Sequence, residues 1–229
     1  MPADKLVVLS GSGISQESGL KTFRDEGGLW EGYNVYEVAT PEAWQRDPEM
    51  VLNFYNMRRR QAAEVQPNDA HRALVRLEET FDVTVVTQNI DDLHERAGST
   101  KVVHLHGEIT KARSIVDENQ IIDIGYEDIK LGDAAPDGQQ LRPHIVWFGE
   151  MVPMIERAAA IVSQADYLIV IGTSLLVYPA AGLVDLAAPH CQRFIVDPNI
   201  PDGRDHGWTA IPKKAVEGSK DLLKHLLDE

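Results

Sequence analysis

Five short apolar runs punctuate the chain, at residues 6–9, 83–87, 102–105, 167–171 and 194–196. Each is nearly continuous in valine, isoleucine and leucine rather than alternating with polar residues, the pattern of strands covered on both faces. Helical periodicity fills the spaces between them. Residues 69–79 place Ala73, Leu74 and Leu77 on one stripe, with Asn68 or Asp69 as the cap. Residues 154–164, 179–187 and 218–227 behave similarly. Strands alternating with helices predict an α/β fold, a doubly wound, Rossmann-like parallel sheet.

Two segments depart from that alternation. Residues 27–67 are helical, with Asp47-Pro48 as a cap followed by proline at the first helical position, opening a helix to about residue 63. Residues 108–141 are polar and turn-rich, with Gly125, Gly132, Pro136 and Gly138. We therefore divide the chain into a sheet domain of residues 1–26, 68–107 and 142–229 and a small inserted module of residues 27–67 and 108–141. Ligands of open parallel sheets bind at the carboxyl ends of the strands, so a module inserted there would wall a cleft.

The stretch from Tyr167 to Val184 is 18 residues without a charge, near the minimum for a membrane span. It contains Gly172, Pro179 and Gly182 and reads as strand, loop and helix instead. The first residues lack the long apolar core of a signal peptide. A soluble, cytoplasmic protein with no membrane contact is expected.

The charge narrows the partners. Lys+Arg number 22 against 36 Asp+Glu, a net charge of −14. That excess argues against a broad nucleic-acid surface. The single cysteine, Cys191, excludes an intramolecular disulfide and a multi-cysteine zinc cage.

Candidate chemistry collects at strand ends. The first strand runs into Gly11-Ser12-Gly13-Ile14-Ser15. Glycines there let the main chain approach a pyrophosphate, but Gln16 occupies the third glycine position of the dinucleotide fingerprint, and a turn that needs glycine only for packing fits equally. Phe23 and Arg24 follow as a ring and a cation that could hold a cofactor, or as a core phenylalanine and a surface arginine. Gln88, Asn89, Ile90 and Asp91 follow the second strand, where they could bind ribose or a carboxamide, or cap the helix beginning near Asp92. We take His104 and His106 to face opposite sides of their strand, which leaves one for the cleft and argues against a zinc pair. His106, nearest the strand end, is the general-base candidate, and His71, His94, His104, His144 and His190 are assigned structural roles. Val146, Trp147 and Phe148 offer an extended edge to which a peptide could add as a strand, or form a buried strand. Gly172-Thr173-Ser174 supplies a second strand-end loop.

The order of these motifs is more specific than any one of them. G-x-G-I-S, T-F-R, T-Q-N-I-D, L-H-G, V-W-F-G-E and G-T-S-L occur in sequence over positions 11 to 175. The chain resembles the sirtuin family, the NAD-dependent protein lysine deacylases, along nearly its whole length. Within that family it is similar to the class III branch, which prefers succinyl- and malonyl-lysine and carries Tyr-x-x-Arg in its acyl pocket. The match here is Tyr55-Asn56-Met57-Arg58. Three residues apart on a helix, Tyr55 and Arg58 would share a face, where phenol and guanidinium can bind a carboxylate. A solvated basic edge of Arg58, Arg59 and Arg60 is the alternative.

The resemblance implies NAD as cofactor, with Gly11, Ser12, Gly13, Ser15, Gly172, Thr173 and Ser174 around phosphates and ribose. It implies Phe23 and Arg24 as a lid, Gln88 to Asp91 at the nicotinamide and ribose, and Asp197 and Ala215 near the rest of the cofactor. Asn89, Asp91 and His106 would be catalytic, His106 as base on a ribose hydroxyl after the acyl oxygen attacks the carbon bearing nicotinamide. Tyr55, Arg58, Val146, Phe148, Gly149 and Glu150 would bind the substrate, an acylated lysine on a protein or peptide. The products would be free lysine, nicotinamide and O-acyl-ADP-ribose. A mono-ADP-ribosyltransferase using the same cleft and a catalytically silent NAD-binding module are the alternatives. Three departures stand out. Residues 108–141 contain none of the four cysteines that hold zinc in most of the family, so no zinc is expected, and Ile115, Val116, Ile121, Ile122, Ile124, Tyr126 and Ile129 are expected to form an apolar cluster instead. Ser12 replaces the usual alanine, and Asp197 stands where asparagine is common. A monomer is expected.

Overall fold

The computed structural model describes residues 3–21, 29–30, 32–200 and 207–227. In chain order they begin with β1 (Lys5–Ser10), α1 (Gly13–Gln16), β2 (Leu29–Trp30), β3 (Tyr33–Asn34), α2 (Val35–Val38), α3 (Pro41–Arg46) and α4 (Pro48–Glu64). Then come α5 (Asp69–Leu77), β4 (Asp82–Thr87), α6 (Leu93–Ala97), β5 (Val102–His104), β6 (Gly107–Ser114), β7 (Ile121–Asp123) and β8 (Leu141–Ile145). The chain continues through α7 (Ile155–Val162), β9 (Tyr167–Ile171), a 3-10 helix (Ala180–Leu186), β10 (Gln192–Val196), β11 (Thr209–Ile211) and α8 (Ala215–Leu227).

All five apolar runs are strands of one parallel sheet, in the order β11-β10-β9-β1-β4-β5. Its faces explain their composition. Along β1, Val7 and Leu9 enter one core with α7, while Leu6 and Val8 enter another with α5 and α8. Side chains alternate across the sheet, and both faces are apolar. Helix α5 is capped by Asn68, whose side chain accepts from the Ala70 N–H, as the sequence allows. Residues 179–187 differ from the predicted helix in forming a 3-10 helix. The last strand, β11, was not legible in the sequence. Among the described residues no helix is long and apolar enough to cross a membrane.

Both inserted segments contribute to a third core. Trp44, Phe54 and Tyr55 from one pack with Ile109, Ile129 and Leu141 from the other. The cap at Asp47 is as expected, its carboxylate accepting from the Met50 N–H. The polar stretch after residue 107 contains a small antiparallel sheet, β7-β6-β8. Residues 142–145, assigned from sequence to the sheet domain, pair there with β6.

The expected apolar cluster is only partly present. Ile129 is buried and Ile122 and Ile124 are half-buried against the core, but Ile115, Val116, Ile121 and Tyr126 are exposed. Polar ties hold the module instead. The Arg59 guanidinium, fully buried, donates to the Ile109 carbonyl and to Asn56 Oδ1. Asn56 in turn accepts from the Ile129 N–H and donates to its carbonyl. Ser114 Oγ donates to Asp137 Oδ2 at 2.6 Å and accepts from the N–H groups of Val116 and Asp117. Gln120 closes the knot by accepting from the Asp137 N–H and donating to Asp117.

Ser114 is buried, so its loss strands several partners at once. Ser114→Ala is expected to lower unfolding stability by about 1–3 kcal/mol in urea titration; an unchanged midpoint would show that the knot contributes nothing.

Acid should also destabilise the fold. Burial lowers His71 from 6.5 to about 4 and His94 well below 6.5. The unfolded chain then binds more protons below pH 6.5, so stability falls as pH drops from there toward 4. His104, whose pKa is raised, contributes its slope only above 6.5. Urea titrations at pH 7 and pH 5 are expected to differ by at least about 2 kcal/mol, the contribution of one such histidine over that span.

Candidate active site

The sheet order fixes where a ligand goes. From β1 the chain winds outward through β4 and β5, and from β9 it winds the opposite way through β10 and β11. The carboxyl ends of β1 and β9 are therefore the switch point, where the flanking crossovers diverge and leave a crevice. A cleft of about 960 Å³ opens there.

Its floor is made by two touching loops. The Gly13 N–H donates to the Gly172 carbonyl at 2.8 Å. A Cβ at Gly13 would lie 2.8 Å from Gly172 Cα, and Gly172, at φ +64°, would place one 2.3 Å from the Ile14 nitrogen. The glycines thus serve loop-against-loop packing first. The N–H groups of Gly11, Ile14 and Ser15 are used within the same loops, and α1 is one turn long. The picture of a long helix presenting open N–H groups to a pyrophosphate does not apply here.

Most of the sequence candidates line this cleft. Gly11, Ser12, Gly13, Gly172, Thr173 and Ser174 form its floor, with Asp197 and Ala215 at one end. Gln88, Asn89, Ile90, Asp91 and His106 form the inner wall. Tyr55 and Arg58 of α4 and Val146, Phe148, Gly149 and Glu150, which follow β8, line the opposite side. Ser15 is not in the wall but behind it, its hydroxyl accepting from Asn89 Nδ2 at 3.1 Å. Phe23 and Arg24 lie outside the described residues. Among the described residues the lining carries Lys21, Arg58 and Lys214 against Asp91, Glu150 and Asp197, a balance in a strongly acidic chain.

Hydrogen bonds fix the inner wall. Gln88 Nε2 donates to Thr173 Oγ1 at 3.1 Å and so ties the two halves of the sheet. Thr87 Oγ1 accepts from the Asn89 N–H and from Ser10 Oγ, and Ser10 Oγ also meets His94 Nε2 at 2.8 Å. Ser10, Thr87 and His94 are buried. Sequence reasoning missed Ser10 and Thr87, because a hydroxyl ending a strand gives no signal of its partner across the sheet. Asp91 Oδ1 accepts from the Leu93 N–H in a turn that leads into α6, whose N-cap is Asp92 without a side-chain capping bond, and the same carboxylate is in the cleft wall. Burial raises its pKa despite that bond and the Ser15 hydroxyl.

The two histidines of residues 104–106 do not face opposite sides. Residues two apart in a strand share a face. His104 Nδ1 donates to the Asn89 carbonyl at 2.9 Å and His106 Nδ1 to the Gln88 carbonyl at 3.0 Å, so both grip the same loop. Only His106 lines the cleft, because β5 ends at His104 and the chain turns at Gly107. Their environments push them apart. Burial lowers the His106 pKa, with the Gln88 carbonyl opposing only in part. Burial acts the same way on His104, but Glu95, 2.8 Å from Nε2, together with the Asn89 carbonyl and Glu108 outweighs it and the net shift is upward. A carbonyl only accepts, so His106 carries its proton on Nδ1 and leaves Nε2 as an acceptor.

The edge at Val146 to Phe148 is not open for strand addition through its N–H groups. The Val146 N–H donates to the His106 carbonyl and that of Phe148 to the Ala39 carbonyl. Trp147 is buried, and Phe148 is 43% exposed at the cleft. The Glu150 carboxylate is held by Arg142. The solvated basic edge is also excluded for two of three residues, since Arg58 and Arg59 are buried and only Arg60 is exposed.

A nucleotide the size of NAD fits the volume and the donor set. Its polar strip offers amide, hydroxyl and carboxylate groups suited to ribose and carboxamide. Among the described residues no group of three or more His, Cys, Asp or Glu could hold a metal ion, and Cys191 is buried in the sheet domain.

His106 is expected to titrate below pH 6.5 by NMR, with Nδ1 protonated in the neutral form. A midpoint at or above that value would mean that burial does not control this residue.

Comparison with known proteins places these features in a context. A model of the Sir2 family matches residues 11–179. An NAD-dependent protein deacylase of Helicobacter pylori (strain J99) is 50% identical over 224 residues, covering 97% of this chain and 95% of the relative. One of Aggregatibacter actinomycetemcomitans is 56% identical over 204 residues, 88% of this chain and 98% of the relative. Among solved structures, a mutant Sir2 homologue complexed with ADP-ribose superposes with TM-score 0.90 at 37% identity, over 99% of this chain and 93% of that one. A Sir2 homologue–NAD complex gives 0.88 at 37% identity, over 99% and 90%.

Proposed function

The chain belongs to the Sir2 family, and from that premise we propose that it is an NAD-dependent protein-lysine deacylase acting on acidic acyl groups, succinyl and malonyl, as well as on acetyl. The observation that carries the reading is His106 in the wall of a switch-point cleft, with Nδ1 committed to a main-chain carbonyl and Nε2 left to accept a proton. Bound NAD supplies an electrophilic ribose carbon that loses nicotinamide, and hydroxyls that take over the acyl group. His106 Nε2 takes the proton from such a hydroxyl; its depressed pKa keeps it neutral at pH 7. Asn89, held by Ser15, and the buried Asp91 orient the sugar and carboxamide from the same wall. Asp197, at the end of β10, accepts from hydroxyls at the far end.

Preference for acidic acyl groups is supported by Tyr55 and Arg58, which lie three residues apart on α4, are both buried and both line the cleft. A buried guanidinium gains most by binding a carboxylate, through charge-assisted hydrogen bonds. Burial raises the Tyr55 pKa, so its phenol stays protonated and donates to such an anion.

Incubation with NAD and acetyl-, malonyl- and succinyl-lysine peptides is expected to release nicotinamide and free lysine, read by mass spectrometry; no turnover on any of them would end the proposal. Arg58→Met is expected to cut desuccinylation roughly tenfold to a hundredfold more than deacetylation, the worth of one charged hydrogen bond. Equal losses would remove the carboxylate-binding role. His106→Ala is expected to lower kcat by about 10²–10⁴. Metal analysis of the same preparation is expected to find no stoichiometric zinc, and one equivalent would overturn that expectation.

A further inference from the structure

A residue outside the cleft wall holds much of it in shape. Arg142, on β8, is buried and sits behind the segment 145–150 that lines the substrate side. Its guanidinium donates from Nη1 to Glu150 Oε1 at 2.7 Å and from Nη2 to Glu150 Oε2 at 3.1 Å, a two-pronged clamp. Nη2 also donates to the Ile145 carbonyl at 2.9 Å. The arginine thus spans the segment from its first residue to its last. Inside that span Glu150 Oε2 accepts from the Trp147 N–H at 2.8 Å. The guanidinium carbon also lies 3.2 Å from the centre of the Trp147 ring, in cation–π contact.

Trp147 transmits this outward. It packs against Trp44 with ring centroids 5.7 Å apart and shares the small module's core with Tyr55. Trp147 and Arg142 both act on the Tyr55 phenol, partly opposing the rise that burial causes. Arg113 Nη2, 3.5 Å from Glu150 Oε1, adds a second cation to the same carboxylate. Neither Arg142 nor Arg113 lines the cleft.

We propose that Arg142 is a positioning residue for the acyl-lysine pocket: by clamping Glu150 and stacking on Trp147 it sets the 145–150 wall and the seat of Tyr55. The role in the pocket rests on the deacylase reading; the mechanical role does not. A planar fork is required, because a lysine ammonium cannot engage both carboxylate oxygens while covering an indole face.

Two measurements on Arg142→Met test this. Amide hydrogen exchange is expected to quicken at least about tenfold over residues 145–150, with β1 and β4 keeping their protection. The KM for succinyl-lysine peptide is expected to rise at least about tenfold while the KM for NAD changes less than about twofold. Arg142→Lys is expected to stay impaired in both. If Arg142→Met does not fold, Glu150→Gln, which weakens the same clamp, is expected to move both readouts in the same direction. Unchanged exchange over 145–150 in a folded variant would overturn the proposal, as would full rescue by lysine. Faster exchange throughout the chain with parallel rises in both KM values would also overturn it, as the mark of general destabilisation. Should the wild-type protein turn over no acyl peptide, the functional reading fails, and the exchange experiment alone still decides whether Arg142 holds the segment.

Discussion

The clasp between Gly13 and Gly172 is the constraint on which the rest of the site depends. Two strand-end loops meet across the sheet's centre at a distance that admits no side chain on either. Because β1 and β9 are neighbours whose crossovers depart in opposite directions, that contact forms the floor of the crevice the topology creates. Widening it would separate Gln88 from Thr173 and so part the inner wall from the floor.

The wall is built by polar groups committed to one another before any ligand arrives. His104 and His106 each spend one ring nitrogen on a carbonyl of the 88–89 loop. Two residues apart, they receive opposite net shifts, because Glu95 stands beside one and only a carbonyl beside the other. Ser10 and Thr87, at the ends of β1 and β4, and His94 of α6 buttress the same loop. Pre-set groups of this kind need no reorganisation during the reaction, which is where such sites gain their advantage.

The small module reaches a comparable end differently. Buried Arg59 and Asn56 fasten α4 to β6 and to the segment around Ile129, and Ser114, Gln120 and Asp137 tie its outer turns. Buried polar ties are costly when incomplete and specific when satisfied. The module's inner face also carries Tyr55 and Trp147, so rigidity there and the shape of the cleft are one property.

By itself the sequence determined the layers, the ends of the five apolar strands and most of the residues that line the cleft there. Continuous apolar runs are legible because strands covered on both faces leave no room for alternation, and glycine follows β1, β9 and α6 where they stop. It did not reveal β11, three residues long, or β6, whose alternation is hidden among charges. His104 and His106, expected on opposite faces, share one as strand alternation requires, and Val146 and Phe148, offered as an open edge, have N–H groups that are already taken. Only the tertiary structure decided that Ser15 stands behind the wall, that Arg58 and Arg59 are inside rather than solvated, and that Arg142 clamps Glu150. The reason is physical. Local pattern follows from the chain's own geometry, whereas a polar atom's role depends on which distant group the folded chain sets within hydrogen-bonding distance of it.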